Sequence, residues 1–201
     1  MDSRITRPIP SDREVDWNKS KVLLSKTDTK GTILYANEAF IDVSGYDEFE
    51  LIGQPHNVIR HPEMPQVIFK FLWDSIKANK NIHAIIKNMS KTGRYYWVIT
   101  DFKIIADTDG EIVGYFGTRK SVPEPIIVKF IEPLYKKLVH IEEVSGLKAS
   151  EEYLIGFLEE RNKTYMEYVD HLVATGKDDK EKVKKGFFNG FFEKKDSSKK
   201  K

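Results

Sequence analysis

From residue 22 onward the chain alternates short apolar runs with turn residues, and the period of each run predicts its backbone. Val22-Leu23-Leu24-Ser25-Lys26 and Thr32-Ile33-Leu34-Tyr35 flank the turn signal Asp28–Gly31, so a β-hairpin is expected. Ala39, Phe40 and Val43 then recur at helical spacing until Gly45 stops them, and Asp47 to Ile52 reads as one more helical turn. After a loop from Gly53 to Pro65 comes a longer helix, in which Val67, Ile68, Phe71, Leu72, Trp73 and Ile76 form a broad apolar face. Three β-rich runs follow, Ile82–Met89, Tyr95–Ile105 and Ile112–Arg119, separated by Thr92-Gly93 and Asp107-Thr108-Asp109-Gly110. Asp-Gly between apolar runs marks a tight hairpin, because glycine accepts positive φ. The order β-β-α-α-α-β-β-β over about 100 residues predicts an α+β fold, a five-stranded antiparallel sheet with helices on one face.

The flanks differ in texture. Residues 1–20 carry two prolines and mixed charge, and read as an extended cap to a domain spanning 21–122. Pro123 and Pro125 mark its far edge, and C-terminal helices are expected over 123–175. The first carries Ile127, Phe130, Ile131, Leu134, Leu138 and Ile141, with Pro133 starting or kinking it. A second is expected from Ser150, a suitable N-cap, to Val173. Its stripe of Leu154, Phe157, Leu158, Tyr165, Tyr168, Val169 and Leu172 needs a partner, either the sheet or another chain. Residues 176–201 are lysine-rich and read as a disordered tail. Within it, Phe187, Phe188, Phe191 and Phe192 stand among lysines, a composition suited to peripheral contact with an anionic membrane or a receptor groove. The bland reading has them docking back on the chain's own helices.

Composition narrows the chemistry. A net charge of +2 does not describe a polycation built for nucleic acid. The absence of cysteine removes disulfides, thiolate zinc sites, iron–sulfur clusters and any flavin–cysteinyl adduct. The polar N-terminus has no signal-peptide core, and no apolar run approaches the roughly 18 residues a spanning helix needs. A cytoplasmic location, held at the inner membrane face through a partner, is therefore expected. No nucleophile–base arrangement or Gly-rich phosphate loop is present, so an enzyme is not expected.

The densest chemistry lies in GQPHNVIRHPEMP, residues 53–65, where Pro55, Pro62 and Pro65 brace two histidines, an arginine, an asparagine and a carboxylate. An arginine fork suits phosphate or an anionic ring, and a histidine beside it supplies a donor or acceptor near neutral pH. Each residue also has a plain reading. Arg60 can pair with Glu63, His61 can brace the loop, and His56 can be structural. Trp73, Trp97 and Tyr96 can be core aromatics, and His83 and His140 ordinary surface residues.

Tyr35-Ala36-Asn37, Val43-Ser44-Gly45-Tyr46, Gly53-Gln54-Pro55-His56-Asn57, Arg60-His61-Pro62-Glu63-Met64-Pro65, Lys87-Asn88, Tyr96-Trp97-Val98 and Glu132-Pro133-Leu134-Tyr135-Lys136 together resemble one known family. It is the FAD-binding PAS domain of bacterial aerotaxis and energy-taxis sensors, of the Aer type and, more closely, the soluble CetB type. The resemblance covers residues 22–137 and implies a PAS fold with non-covalent FAD. It carries flavin-binding roles to Asn37, Arg60, His61, Glu63 and Tyr96, and places Asn88 at the polar edge of the flavin, with Asn57 and Trp97 in the same region. Glu63 replaces the family's aspartate and keeps its charge, whereas Ile82 stands where the family has a tryptophan. That loss removes a stacking contact of roughly 0.5–1.5 kcal/mol. The implied function is redox signalling to a membrane chemoreceptor of the CetA type or another signalling protein. A haem sensor ligated by His61 or His56 is one alternative, and a cofactor-free adaptor dimerising through its helices another.

Overall fold

The structure, a computed structural model, describes residues 7–178. Of the expected tail, residues 176–201, the part from 179 onward, with its four phenylalanines, lies outside the described residues, while Asp178 pairs with Arg161 at 2.7 Å. Five strands, β1 (Leu23–Thr27), β2 (Ile33–Ala36), β3 (Ile82–Met89), β4 (Tyr95–Ala106) and β5 (Ile112–Ser121), form one antiparallel sheet in the order β2-β1-β5-β4-β3. Three helices lie over one face: α1 (Glu38–Ser44), the single turn α2 (Glu48–Leu51) and α3 (Gln66–Lys77). The predicted α+β architecture is therefore observed. Gly45 ends α1 at φ 69°, a left-handed stop that a side chain rarely adopts.

Strand register sorts residues onto two faces. Directly opposed residues of an antiparallel pair share a face. Asn88 faces Tyr96, Thr100 faces Arg119, and Gly117 faces both Phe102 and Ser25, so these point toward α1–α3. Lys87 faces Trp97 and Ile85 faces Ile99, so these point the other way.

The proline-braced loop acts as a strap between the sheet's two edge strands. At β2, Gly53 donates to Ile33 O at 2.8 Å and Ile33 N to Gln54 O at 2.8 Å. A 3-10 turn, His56–Ile59, carries the chain across, and Arg60 then bridges to Asn88 on β3. A strap anchored on both edges must leave a space above the middle strands.

The chain before β1 is ordered against the start of β4. Tyr95 N donates to Arg13 O at 2.9 Å and Val15 N to Tyr95 O at 2.8 Å. Gly93 sits under this segment, where a Cβ would come within 2.1 Å of Ile9 O.

After β5 come a helical turn α4 (Glu124–Ile126), a wider π-helical turn (Ile127–Ile131), then α5 (Glu132–Glu159) and α6 (Tyr165–Thr175). These differ from the expected helix starting at Ser150. Gly146 leaves helical geometry (φ 84°, ψ 172°), so α5 turns there, and Ser150 lies buried inside its second half. The Ser150 hydroxyl donates to Leu138 O at 3.3 Å, which shows the two halves lying against one another. Asn162 at φ 48° and a Thr164–Glu167 capping box separate α6. The apolar stripe is met within this chain: the Tyr135 hydroxyl donates to Ile85 O at 2.7 Å, and Tyr165 accepts from Ile85 N at 3.3 Å. Glu142 on α5 accepts from the first amides of α3, Gln66 N at 2.8 Å and Val67 N at 2.9 Å. Pro65 has no side-chain donor or acceptor with which to cap them, so α5 does it.

Candidate functional site

Between strap, sheet and α3 lies a cavity of about 260 Å³. Ligand pockets typically enclose about 300–1,000 Å³, so this one suits a ring system rather than a whole dinucleotide. Its α3 wall is apolar, made by Phe69, Leu72, Trp73 and Ile76. Ile86, Phe102 and Tyr115 add apolar surface from the sheet.

The polar groups converge from the sheet and strap. Asn88 is 4% exposed, and its amide nitrogen has no hydrogen-bond partner among the described residues. The Thr100 hydroxyl, on the adjacent strand, is also buried without one. Native proteins pair nearly all such groups, so two orphans on one cavity wall mark a place built for an external partner. Arg119 lies on the same face, 2% exposed, with its guanidinium donating to Ser25 Oγ at 3.0 Å, Gly117 O at 3.2 Å and His56 Nε2 at 2.8 Å. Burial lowers Arg119 to about 10, which leaves it a cation at neutral pH. Burial and the charge of Arg119 hold His56 down at about 3, so its imidazole is neutral and accepts.

The structure divides the eight residues nominated from sequence. Arg60, Asn88 and Asn57 line the cavity. Arg60 does not pair with Glu63; its guanidinium stacks 3.8 Å over the Phe69 ring and donates to Met64 O at 3.4 Å. Asn57 is exposed at the rim beside Lys30. Asn37 lies elsewhere, spent on architecture: its amide oxygen accepts from Leu24 N and Phe40 N, and its nitrogen donates to Val22 O. Glu63 takes Lys87 Nζ at 2.6 Å beside Trp97 on the opposite face. Burial pushes the Glu63 carboxyl up, but the Lys87 hydrogen bond and charge outweigh it and hold it below its ordinary value. His61 is buried in that same cluster, accepting from Glu63 N at 3.2 Å, and desolvation with the Lys87 charge lowers it to about 4. Trp97 packs on Tyr135 at 6.0 Å. Tyr96 shares the face of Asn88 but is sealed in the core, its hydroxyl unpartnered and its pKa raised by burial. Ile82 packs with Leu72 and Ile76 and does not line the cavity.

Three polar residues at the centre of the site were not anticipated: Thr100, Arg119 and His56 in a lining role. Tyr115, Gly117 and Arg119 sit at alternate positions of one strand. An arginine at inward period beside a glycine was the available signal.

Residues 33–119 match the family model described as the PAS fold. The fold is the PAS fold. Over 116 residues the chain is 40% identical to the aerotaxis receptor of Escherichia coli (strain K12), covering 58% of this chain and 22% of that one. It is 24% identical over 104 residues to a nitrogen fixation regulatory protein of Klebsiella oxytoca, covering 52% of this chain and 21% of that one. The chain thus spans less than a quarter of either relative. Among solved structures, a light-oxygen-voltage domain studied with a flavin analogue superposes with TM-score 0.51 at 20% identity, covering 57% of this chain and 87% of that one. That likeness is one of fold. No helix among the described residues is long and apolar enough to cross a membrane.

Proposed function

We propose that the PAS domain is a redox sensor that holds a flavin ring in the cavity, with FAD as the form bound. The observation that carries this is the pair of unpartnered buried groups, Asn88 Nδ2 and Thr100 Oγ1, opposite the apolar wall of α3. An apolar slot with a few convergent polar groups suits a flat heteroaromatic ring with one polar edge. The likeness to an aerotaxis receptor and to a domain studied with a flavin analogue supports the reading. Exposed Lys30 and Asn57 at the rim are placed to meet phosphates outside the slot. With no cysteine in the chain, signalling through a thiol adduct is excluded. The haem alternative is weaker, since His56 Nε2 already accepts from Arg119 and His61 belongs to the opposite face.

A bound flavin supplies a ring whose polar edge changes its protons with its electrons. The Asn88 amide can donate or accept and so can answer such a change by reorienting, because an unmade bond in a dry slot is costly. Its backbone bridges Arg60, the strap runs from Arg60 into α3, and Glu142 of α5 holds the start of α3. This contiguous path can bias the C-terminal helices between two arrangements. The recipient in this proposal is a membrane chemoreceptor, as in the CetB type of sensor, contacted through protein surfaces.

The test is the spectrum of the purified full chain. Flavin absorbance, with FAD released on heating, is the expected result. A colourless protein sinks the flavin assignment, and a Soret band replaces it with haem. Hydrogen exchange in α3 and α5 that is the same for oxidised and reduced protein would refute the relay.

A further inference from the structure

We propose that Arg119 makes this cavity select the negatively charged form of its ring ligand. The inference deepens the flavin reading and rests on it for the identity of the ring. It starts from a charge count. Lys30, Arg60 and Arg119 line the cavity, and no aspartate or glutamate does. Lys30 is exposed at the rim and Arg60 is occupied with Phe69, so Arg119 is the deep cation.

A buried guanidinium normally has a carboxylate, because an uncompensated buried charge is expensive. Arg119 has none among the described residues. Its acceptors are a serine hydroxyl, a backbone carbonyl and a neutral histidine. Those use three of its five N–H donors and neutralise none of its charge. The remaining donors and the net charge are available to the space that Arg119 lines. The groups able to answer that charge are Ser25 on β1, the Phe40 ring on α1 at 5.2 Å, Tyr96 on β4, Tyr115 and Gly117 O on β5, and His56 on the strap, none of them an anion; Arg60 and Lys30 add like charge.

The backbone makes room for this arrangement. A Cβ at Gly117 would sit 2.8 Å from Nη2 and 2.9 Å from Nη1 of Arg119. Gly117 has no positive φ to require glycine, so what the missing side chain provides is the seat for the guanidinium. A simple brace between β5 and β1 would explain the three hydrogen bonds, but not the lack of any carboxylate around the cavity. For a flavin, the consequence is that the reduced ring is held deprotonated, since a fixed cation lowers the pKa of an acid beside it.

The experiment uses the full chain in two states. Stripped of flavin, it is titrated with 8-anilinonaphthalene-1-sulfonate and with the uncharged N-phenyl-1-naphthylamine. Loaded with flavin, the proton loss of the reduced ring is followed by absorbance against pH. Wild type should prefer the anionic dye. Arg119→Gln should cut that preference at least about tenfold and raise the pH of proton loss by about one unit or more, the loss of one charge-assisted contact. Arg119→Lys should keep the preference, and Gly117→Ala, which pushes the guanidinium from its seat, should change it in the direction of Gln. The same dye ratio in wild type and Arg119→Gln overturns the proposal, as does a wild type with no preference. Should Arg119→Gln fail to fold, an unchanged ratio in folded Gly117→Ala overturns it equally. A wild type that never carries flavin defeats the flavin reading alone, because the dye ratio still reads Arg119.

Discussion

Replacing Asn88 with leucine separates stability from ligand binding. Asn88 is buried and its amide N–H has no partner in the protein. Leaving such a donor unmade costs about 1–3 kcal/mol. The cavity beside it has room for water, which polar partners such as Asn88 and Thr100 can hold, so the low end of that range applies. Leucine removes the donor, fits the apolar wall opposite, and leaves the backbone bridge to Arg60 untouched. Without flavin, the variant should therefore match the wild type or exceed it by about 1 kcal/mol, against the usual destabilisation of a buried substitution. With flavin at a hundred times its Kd, the wild type gains about 2.7 kcal/mol and the variant little of it. The order of stabilities crosses on adding ligand. Urea denaturation followed by circular dichroism, with and without FAD, reads both halves, and each kcal/mol corresponds to about 2–4 °C in Tm for a chain of this size. A flavin-free variant weaker by more than about 1 kcal/mol, or one stabilised by FAD as much as wild type, refutes the reasoning.

Further predictions follow from the contacts around the site. Glu142→Ala strips the cap from α3 and should cost about 1–2 kcal/mol, with faster amide exchange at Gln66 and Val67; unchanged exchange would show that α5 does not hold α3. Tyr135→Phe leaves Ile85 O without its donor and should cost about 1–3 kcal/mol in urea denaturation, whereas a neutral result would mean that water replaces the hydroxyl. His61 and His56 are held at about 4 and about 3 in the folded chain, below the ordinary 6.5, so the unfolded chain takes up protons first as pH falls. Their contribution is whole above about pH 6.5 and is lost as pH falls from there toward 4, so the urea midpoint should drop across that window, and less in His61→Gln. A midpoint that rises on acidification contradicts both assignments.

The residues nominated from sequence show where pattern stops short of geometry. Tyr96 and Trp97 were both candidates, yet neighbours on a strand point to opposite faces, so at most one of them could have met the ligand. Neither lines the cavity: Trp97 packs under α5, and Tyr96 is sealed in the core. The same alternation sends Asn88 inward and Lys87 outward, where Lys87 draws Glu63 and His61 away with it. Asn37 sits at the position where an asparagine caps α1, so its side chain is spent on the helix and not on a ligand.

The sequence by itself determined what depends on neighbours along the chain. Between residues 22 and 121 the 2- and 3.6-residue periods, the Asp-Gly turn and the glycine stop set the strands, helices and their order, and the prolines marked a rigid loop; the helices beyond Ser121 broke at positions the periods did not give. Only the tertiary structure decided which face of the sheet is covered, because period 2 defines two faces without saying which one packs. It also decided that the loop spans from edge strand to edge strand, that Glu142 of α5 caps α3, that α5 folds back at Gly146, and that Arg119 settles over Gly117 without a counter-charge. Those are relations between residues up to 94 positions apart, as Ser25 and Arg119 are, and no local pattern encodes them.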